Sequence, residues 1–203
     1  GSGGYTVVDG EKMEMGEGDL ILTPQGTWHD HGHEGEAPMV WIDGLDVPLI
    51  QSLQVISFEP FPDDKQKVQI NKQDASHFGM TRPLHSLREK PVLLHYHWED
   101  TYRSLKALAK KDPHPYDGVA LEFVNPLTGG PTMPTISCRI QMLNPGERTN
   151  VHRHTSTTIY HAFRGSGSTV INGRTFHWDK GDTFIVPLWH WHEHLSRSLN
   201  GES

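Results

Sequence analysis

Through the second half of the chain, apolar and polar residues alternate with a period of two between glycines, the pattern of strands that bury one face. Thr169-Val170-Ile171 runs into Asn172-Gly173, and Arg174 to Trp178 leads back, which predicts a tight hairpin. The opening of the chain has the same form. Tyr5-Thr6-Val7-Val8 meets the type I′ turn pair Asp9-Gly10, followed by Lys12 to Met15, the apolar Leu20-Ile21-Leu22 and Pro24. One stretch changes period. From Glu99 to Lys111, Tyr102, Leu105, Leu108 and Ala109 recur at spacings of three and four, so a helix is expected near 99–111. Asp100 or Thr101 is expected to cap its start, and Asp112-Pro113 to stop it. Gln51 to Phe58 fits a short helix or an extended arm equally. Lys65 to Gln73 reads as polar loop, and Asn125 to Pro131 as a rigid turn cluster.

The two strand-rich stretches are copies. Gly4, Gly10, Gly18-Asp19, Pro24, Trp28, His29 and His31 stand 163 positions before Gly167, Gly173, Gly181-Asp182, Pro187, Trp191, His192 and His194. This is an internal repeat without insertion or deletion over about 28 residues. The positions matching His152 and His154 fall before residue 1, so the first module is expected to begin upstream. The first module also continues through Trp41-Ile42-Asp43-Gly44-Leu45-Asp46, whose matches would lie past Ser203. Both modules are therefore expected to be incomplete in this chain.

Histidine carries the candidate chemistry. His152 and His154 are two residues apart, so they aim two imidazoles at one point only if that segment is extended. His192 returns past Pro187 as a third donor. Three neutral nitrogen donors converging between strands predict a metal site at His152, His154 and His192. His29 stands where His192 does and is expected to be a ligand of a matching site. His31 and His194 share the faces of those ligands and are placed to reach a metal-bound substrate without binding the metal. His33 and His190 read as surface. His95 and His97 form another His-x-His, but no Gly-Asp, proline and third histidine follow, so the pair reads as incidental. His77, His85, His114, His161 and His177 carry no functional reading, and Cys138, on an expected strand, reads as core.

Composition narrows the partners. The formal charge is −7, and no lysine or arginine run exceeds two residues, which argues against nucleic acid and anionic membrane surfaces. No apolar run approaches the roughly 18 residues of a membrane span. No signal peptide is recognised, so a soluble cytoplasmic protein is expected. One cysteine excludes a disulfide framework and thiolate metal clusters. An all-imidazole site suits zinc, iron, copper or nickel. On tetrahedral zinc it leaves one position for water, which suits hydrolysis; on an octahedral ion it leaves room for a chelating substrate and dioxygen. The residues alone select neither, nor do they exclude a binding or structural role.

The glycine, proline and histidine pattern resembles the two motifs of the cupin superfamily, although the motif-one glutamate is missing. More specifically, Gly18 to Pro24, Thr27 to Gly32, Trp41 to Asp46, Asn125 to Pro131, Cys138-Arg139, His152-Arg153-His154 and Trp191-His192 resemble gentisate 1,2-dioxygenase and its relatives acting on salicylate and 1-hydroxy-2-naphthoate. The likeness is collinear over nearly the whole chain and departs at His97, where proline is expected between Tyr96 and Trp98. The resemblance implies an all-β, double-stranded β-helix (jelly-roll) bicupin. Residues 1–49 would be the C-terminal half of the first cupin module, 50–134 a connector with one helix near 99–111, and 135–203 the second module lacking its last strands. It further implies non-haem Fe(II) on three histidines, a homotetramer, and cleavage of gentisate between its carboxyl- and hydroxyl-bearing carbons to maleylpyruvate. In that family the first module generally carries the catalytic iron. His29 is then an iron ligand, His31 a hydrogen-bond partner of substrate or oxygen, and Asp43, expected on the next strand, a partner of a histidine or substrate hydroxyl.

Overall fold

The computed structural model describes residues 2–69, 94–126 and 128–197; His77 and His85 lie outside them. It is mostly β. The strands are β1 Gly4–Val8, β2 Glu11–Glu14, β3 Leu20–Ile21, β4 His29–His33, β5 His95–Tyr96, β6 Val119–Glu122, β7 Arg139–Met142, β8 Thr158–His161, β9 Ser166–Ile171, β10 Arg174–Asp179, β11 Thr183–Val186 and β12 His192–Ser196. Two helices interrupt them, α1 Val47–Ser52 and α2 Trp98–Leu108. The chain divides into two compact units, residues 1–101 with 123–138, and residues 102–122 with 139–203.

Each unit is built on a three-stranded antiparallel sheet with a hairpin at one side, ordered β2-β1-β4 in the first and β10-β9-β12 in the second. The hairpin turns form where the sequence places them, because Asp9-Gly10 and Asn172-Gly173 take positive φ of 47°, 83°, 45° and 81°. The repeat persists bond by bond. Asp9 N donates to the Trp28 carbonyl at 2.8 Å, as Asn172 N does to Trp191. The Asp9 and Asn172 side chains accept Trp28 N and Trp191 N in turn, at 2.9 and 3.0 Å. Asp19 Oδ2 accepts Gly16 N at 3.0 Å, as Asp182 Oδ2 accepts Asp179 N at 2.9 Å. The partners of β3 and β11 differ in origin: β3 pairs with β5 from the connector, and β11 with β8 from its own module.

Among the described residues, Val7, Val8, Met13 and Leu22 are the buried apolar side chains of the first unit. Leu105, Val119, Leu143, Ile171 and Val186 are those of the second, which also buries Thr149, Ser168, Thr169, His192, Glu193, His194 and Ser196. So polar an interior is stable only if its groups are paired.

Several details differ from the sequence reading. Of Gln51 to Phe58, only Gln51 and Ser52 are helical, as the end of α1 Val47–Ser52, where Pro48 fits the donor-free first turn. The second helix starts at Trp98, ahead of Asp100 and Thr101. Its first amide, which has no acceptor within the helix, is satisfied from outside it, with Asp19 Oδ1 accepting Trp98 N at 2.7 Å. Cys138 is partly exposed just before β7 and is not core. No strand carries Asp43, since residues 34–46 have no regular structure. Among the described residues, no helix is long and apolar enough to cross a membrane.

Gly167 occupies the middle of the three-stranded sheet in the second unit, opposite Trp178 and Ser196. A β-carbon there would collide with the Leu195 carbonyl and the Trp178 ring. Gly167→Ala is expected to destabilise the protein by about 1–3 kcal/mol, the scale of overpacking. Chemical denaturation checks this against Gly173→Ala, whose β-carbon would meet no atom within 4 Å and which tests backbone conformation alone.

Candidate metal centre

The second unit brings its three predicted histidines together. His152 forms an isolated antiparallel bridge with His192, their amides and carbonyls exchanging bonds of 2.9 and 2.8 Å. His154 follows two residues on, and its carbonyl accepts Trp189 N at 2.8 Å. Ring centroids are 4.1 Å apart for His152 and His192, 4.9 Å for His154 and His192, and 6.0 Å for His152 and His154. One ring nitrogen from each lies within 4.8 Å of the other two.

The other ring nitrogens are occupied in a consistent way. His152 Nδ1 is 3.1 Å from the Asn150 carbonyl, His154 Nδ1 2.8 Å from Ser156, and His192 Nδ1 3.0 Å from His190. A carbonyl only accepts, so each Nδ1 carries the proton and donates it. The neutral ring then has its lone pair on Nε2. Three Nε2 lone pairs are left for the shared space, the tautomer that metal-ligating histidines require. His192 Nε2 is buried without a hydrogen-bond partner, an orphan that a bound cation would satisfy. Burial pushes the His192 pKa down against the bond to the His190 carbonyl, and the neighbouring His152 and His154 add to the lowering. The donor set fits a zinc- or iron-class ion.

Alternation along β12 sorts its side chains. His192 and His194 share one face, and Glu193 takes the other, where its carboxylate is gripped by Arg148 in a two-pronged bond of 2.6 and 2.7 Å. That bond lowers the Glu193 pKa against the opposing effect of burial. His194 is 4% exposed, and burial beside three other imidazoles pushes its pKa down to about 3. Its Nδ1 lies 2.9 Å from Thr169 Oγ1, which also accepts Trp178 Nε1 at 3.1 Å. Thr169 is wholly buried, so its hydroxyl proton goes to His194 Nδ1. His194 therefore keeps its own proton on Nε2, a buried donor with no partner in the protein. The sequence reading missed Thr169, yet the signal was there: Thr6 and Thr169 repeat at the spacing of His31 and His194, and Thr6 Oγ1 lies 3.0 Å from His31 Nδ1. It also missed Arg153, whose guanidinium lies 4.2 and 4.3 Å from the ring centroids of Trp189 and Trp191.

In the first unit, His29 and His31 project from β4 opposite Val8 and Thr6. Their rings are 5.7 Å apart, and Trp41 lies 5.6 Å from His31. Both histidines are exposed, unlike the buried His192 and His194. Asp43 is exposed in the irregular segment after β4. His33 is exposed as expected. His95 and His97 are not isolated, because Asp19 joins them.

This arrangement of imidazoles on short antiparallel strands agrees with the comparisons. The family model described as Cupin domain matches residues 1–47 and 139–199, the two repeat-bearing stretches. A 5-aminosalicylate 1,2-dioxygenase of Comamonas sp is 42% identical over 98% of this chain and 53% of its own length. A gentisate 1,2-dioxygenase of Aquipseudomonas alcaligenes is 34% identical over 98% of this chain and 58% of its own length. Among solved structures, a salicylate 1,2-dioxygenase from Pseudaminobacter salicylatoxidans superposes with a TM-score of 0.88 at 33% identity, over 98% of this chain and 60% of that one. The chain belongs to the cupin family, and the relatives it resembles over nearly all of its length are gentisate- and salicylate-type 1,2-dioxygenases. It spans between half and two thirds of the length of these relatives.

Thr169→Val keeps the shape and removes the hydroxyl, taking the partner from the part-buried Trp178 Nε1 and from the buried His194 Nδ1. A loss of about 1–3 kcal/mol is expected, measured by denaturant unfolding, while Thr169→Ser should lose markedly less.

Proposed function

We propose that the protein is a ring-cleaving dioxygenase that uses non-haem Fe(II) to open gentisate between its carboxyl- and hydroxyl-bearing carbons, giving maleylpyruvate with both oxygen atoms retained. The observation that carries the reading is the shared tautomer of His152, His154 and His192: each gives its Nδ1 proton to a backbone carbonyl and keeps Nε2 for an ion. Salicylate and 1-hydroxy-2-naphthoate are the related substrates, in keeping with the activities named for relatives. A 1-hydroxy-2-naphthoate 1,2-dioxygenase of Nocardioides sp. (strain KP7) is 39% identical over 91% of this chain and 49% of its own length. A salicylate 1,2-dioxygenase structure is described as an adduct with gentisate. The protein acts as a cytoplasmic homotetramer, the assembly its family resemblance implies.

A bound ferrous ion supplies the redox chemistry and open coordination positions for a chelating hydroxy acid and dioxygen. The chain's own residues do the rest. His152, His154 and His192 hold the ion in the second module, and His29 is one ligand of the first-module site. His31, oriented through Nδ1 by Thr6, presents Nε2 to substrate or oxygen. His194 presents a buried Nε2–H in the same way, fixed by Thr169 and Trp178. Because burial keeps His194 neutral, it donates a hydrogen bond without adding a charge beside the ligands. Asp43 serves as a carboxylate partner for a histidine or a substrate hydroxyl.

On chelated protein with both modules whole, Fe(II) is expected to restore gentisate-dependent oxygen uptake and Zn(II) is not; turnover without iron sinks the proposal. His31→Ala should retain iron and lose turnover by about 10²-fold or more, the scale of one acid–base or orienting group. Iron lost in that variant would make His31 a ligand instead.

A further inference from the structure

A second group of metal-competent donors forms where β3 and β5 pair, with Ile21 opposite His95. Asp19 immediately precedes β3, and its Oδ2 accepts His95 Nε2 at 2.7 Å. His97 lies two residues beyond His95, the spacing that puts side chains of an extended segment on one face. Its Nδ1 is 3.9 Å from the same carboxylate oxygen. The two rings lie 3.9 Å apart between centroids. One donor atom from each of Asp19, His95 and His97 falls within 4.8 Å of the other two.

A turn-closing aspartate does not need this arrangement. Asp182 closes the matching turn of the other module through its bond to Asp179 N, yet among the described residues it belongs to no such cluster. Nor does a buried Asp–His pair need a third donor, which His97 nonetheless brings. The carboxylate is held ready: Gly16 N fixes Oδ2 at 3.0 Å and Trp98 N fixes Oδ1 at 2.7 Å. The side chains of Asp19 and His95 are 10% and 6% exposed, and that of His97 is 43% exposed. All three line a cleft of about 560 Å³, with Lys12 and Glu14 on its wall, so an ion has an entry path and room for water on its open side.

We propose that Asp19, His95 and His97 form a metal site, separate from the three-histidine centre, for a divalent first-row transition cation such as Zn2+. Its ligands are His95 Nε2, His97 Nδ1 and one Asp19 oxygen. Binding displaces the proton between His95 Nε2 and Asp19 to solvent, while the two backbone amides keep the carboxylate oriented. Two imidazoles and one carboxylate select such ions over Mg2+ and Ca2+, which favour oxygen-rich shells.

The test is metal stoichiometry. Metal-free protein is dialysed against micromolar Zn2+ and assayed by elemental analysis, beside His97→Gln and His97→Asp. His97→Gln should bind one zinc ion fewer per chain than the parent, and His97→Asp, whose oxygen reaches the place of Nδ1, should recover it. With Co2+, the visible difference between parent and His97→Gln should be the spectrum of one bound ion. Circular dichroism and the metal-free melting temperature verify that the half-exposed position tolerates both changes. If His97→Gln folds but fails to lower the zinc content, the site does not exist. If it misfolds, the decision passes to Asp19→Asn, which keeps an oxygen for one of the two amides and should also bind one ion fewer; undiminished content there overturns the proposal. The three-histidine centre is intact in every variant, so the difference does not depend on what that centre binds.

Discussion

A backbone carbonyl at the right place decides which nitrogen of an imidazole is free, and the second module depends on that constraint three times over. Asn150, Ser156 and His190 each offer a carbonyl two residues from a histidine, and each takes the Nδ1 proton. The acceptors are local, so ring orientation is written into the backbone path around each histidine. The strands then need only bring three already oriented rings to one place. The bridge between His152 and His192 does this for two of them, and the Trp189 amide secures the carbonyl of the third.

Polar residues fill much of the second unit's interior because the site faces inward. Such burial is costly unless every donor finds an acceptor. Trp178, Thr169 and His194 solve this as a chain, with the indole N–H given to the hydroxyl and the hydroxyl proton given to the ring. The open valence at the end of that chain, His194 Nε2, points to what the interior is for. The first unit keeps the Thr6–His31 pair but leaves His29 and His31 exposed.

Much of this was legible in the sequence, for physical reasons that can be named. Turns that require positive φ announce themselves, so Asp9-Gly10 and Asn172-Gly173 were placed to the residue. The spacing of two brought out His152 and His154, and the 163-residue repeat His192, and the fold brings all three within reach of one another. What escaped was non-local. The start of α2 was misjudged because the group receiving its first amide is Asp19, distant in the chain. The His95–His97 pair was set aside because a third donor was sought downstream, whereas Asp19 lies 76 residues before His95. Asp43 was expected on the next strand, yet residues 34–46 have no regular structure.

The ion pair behind β12 has a consequence beyond local stability. If the strand paired one residue out of frame, every side chain would change faces. Glu193 would then enter the cluster of imidazoles, while two histidines would meet the Arg148 guanidinium. Arg148 and Glu193 thus act as a key cut for a single alignment, and misthreaded forms of this sheet are penalised on both of its sides at once.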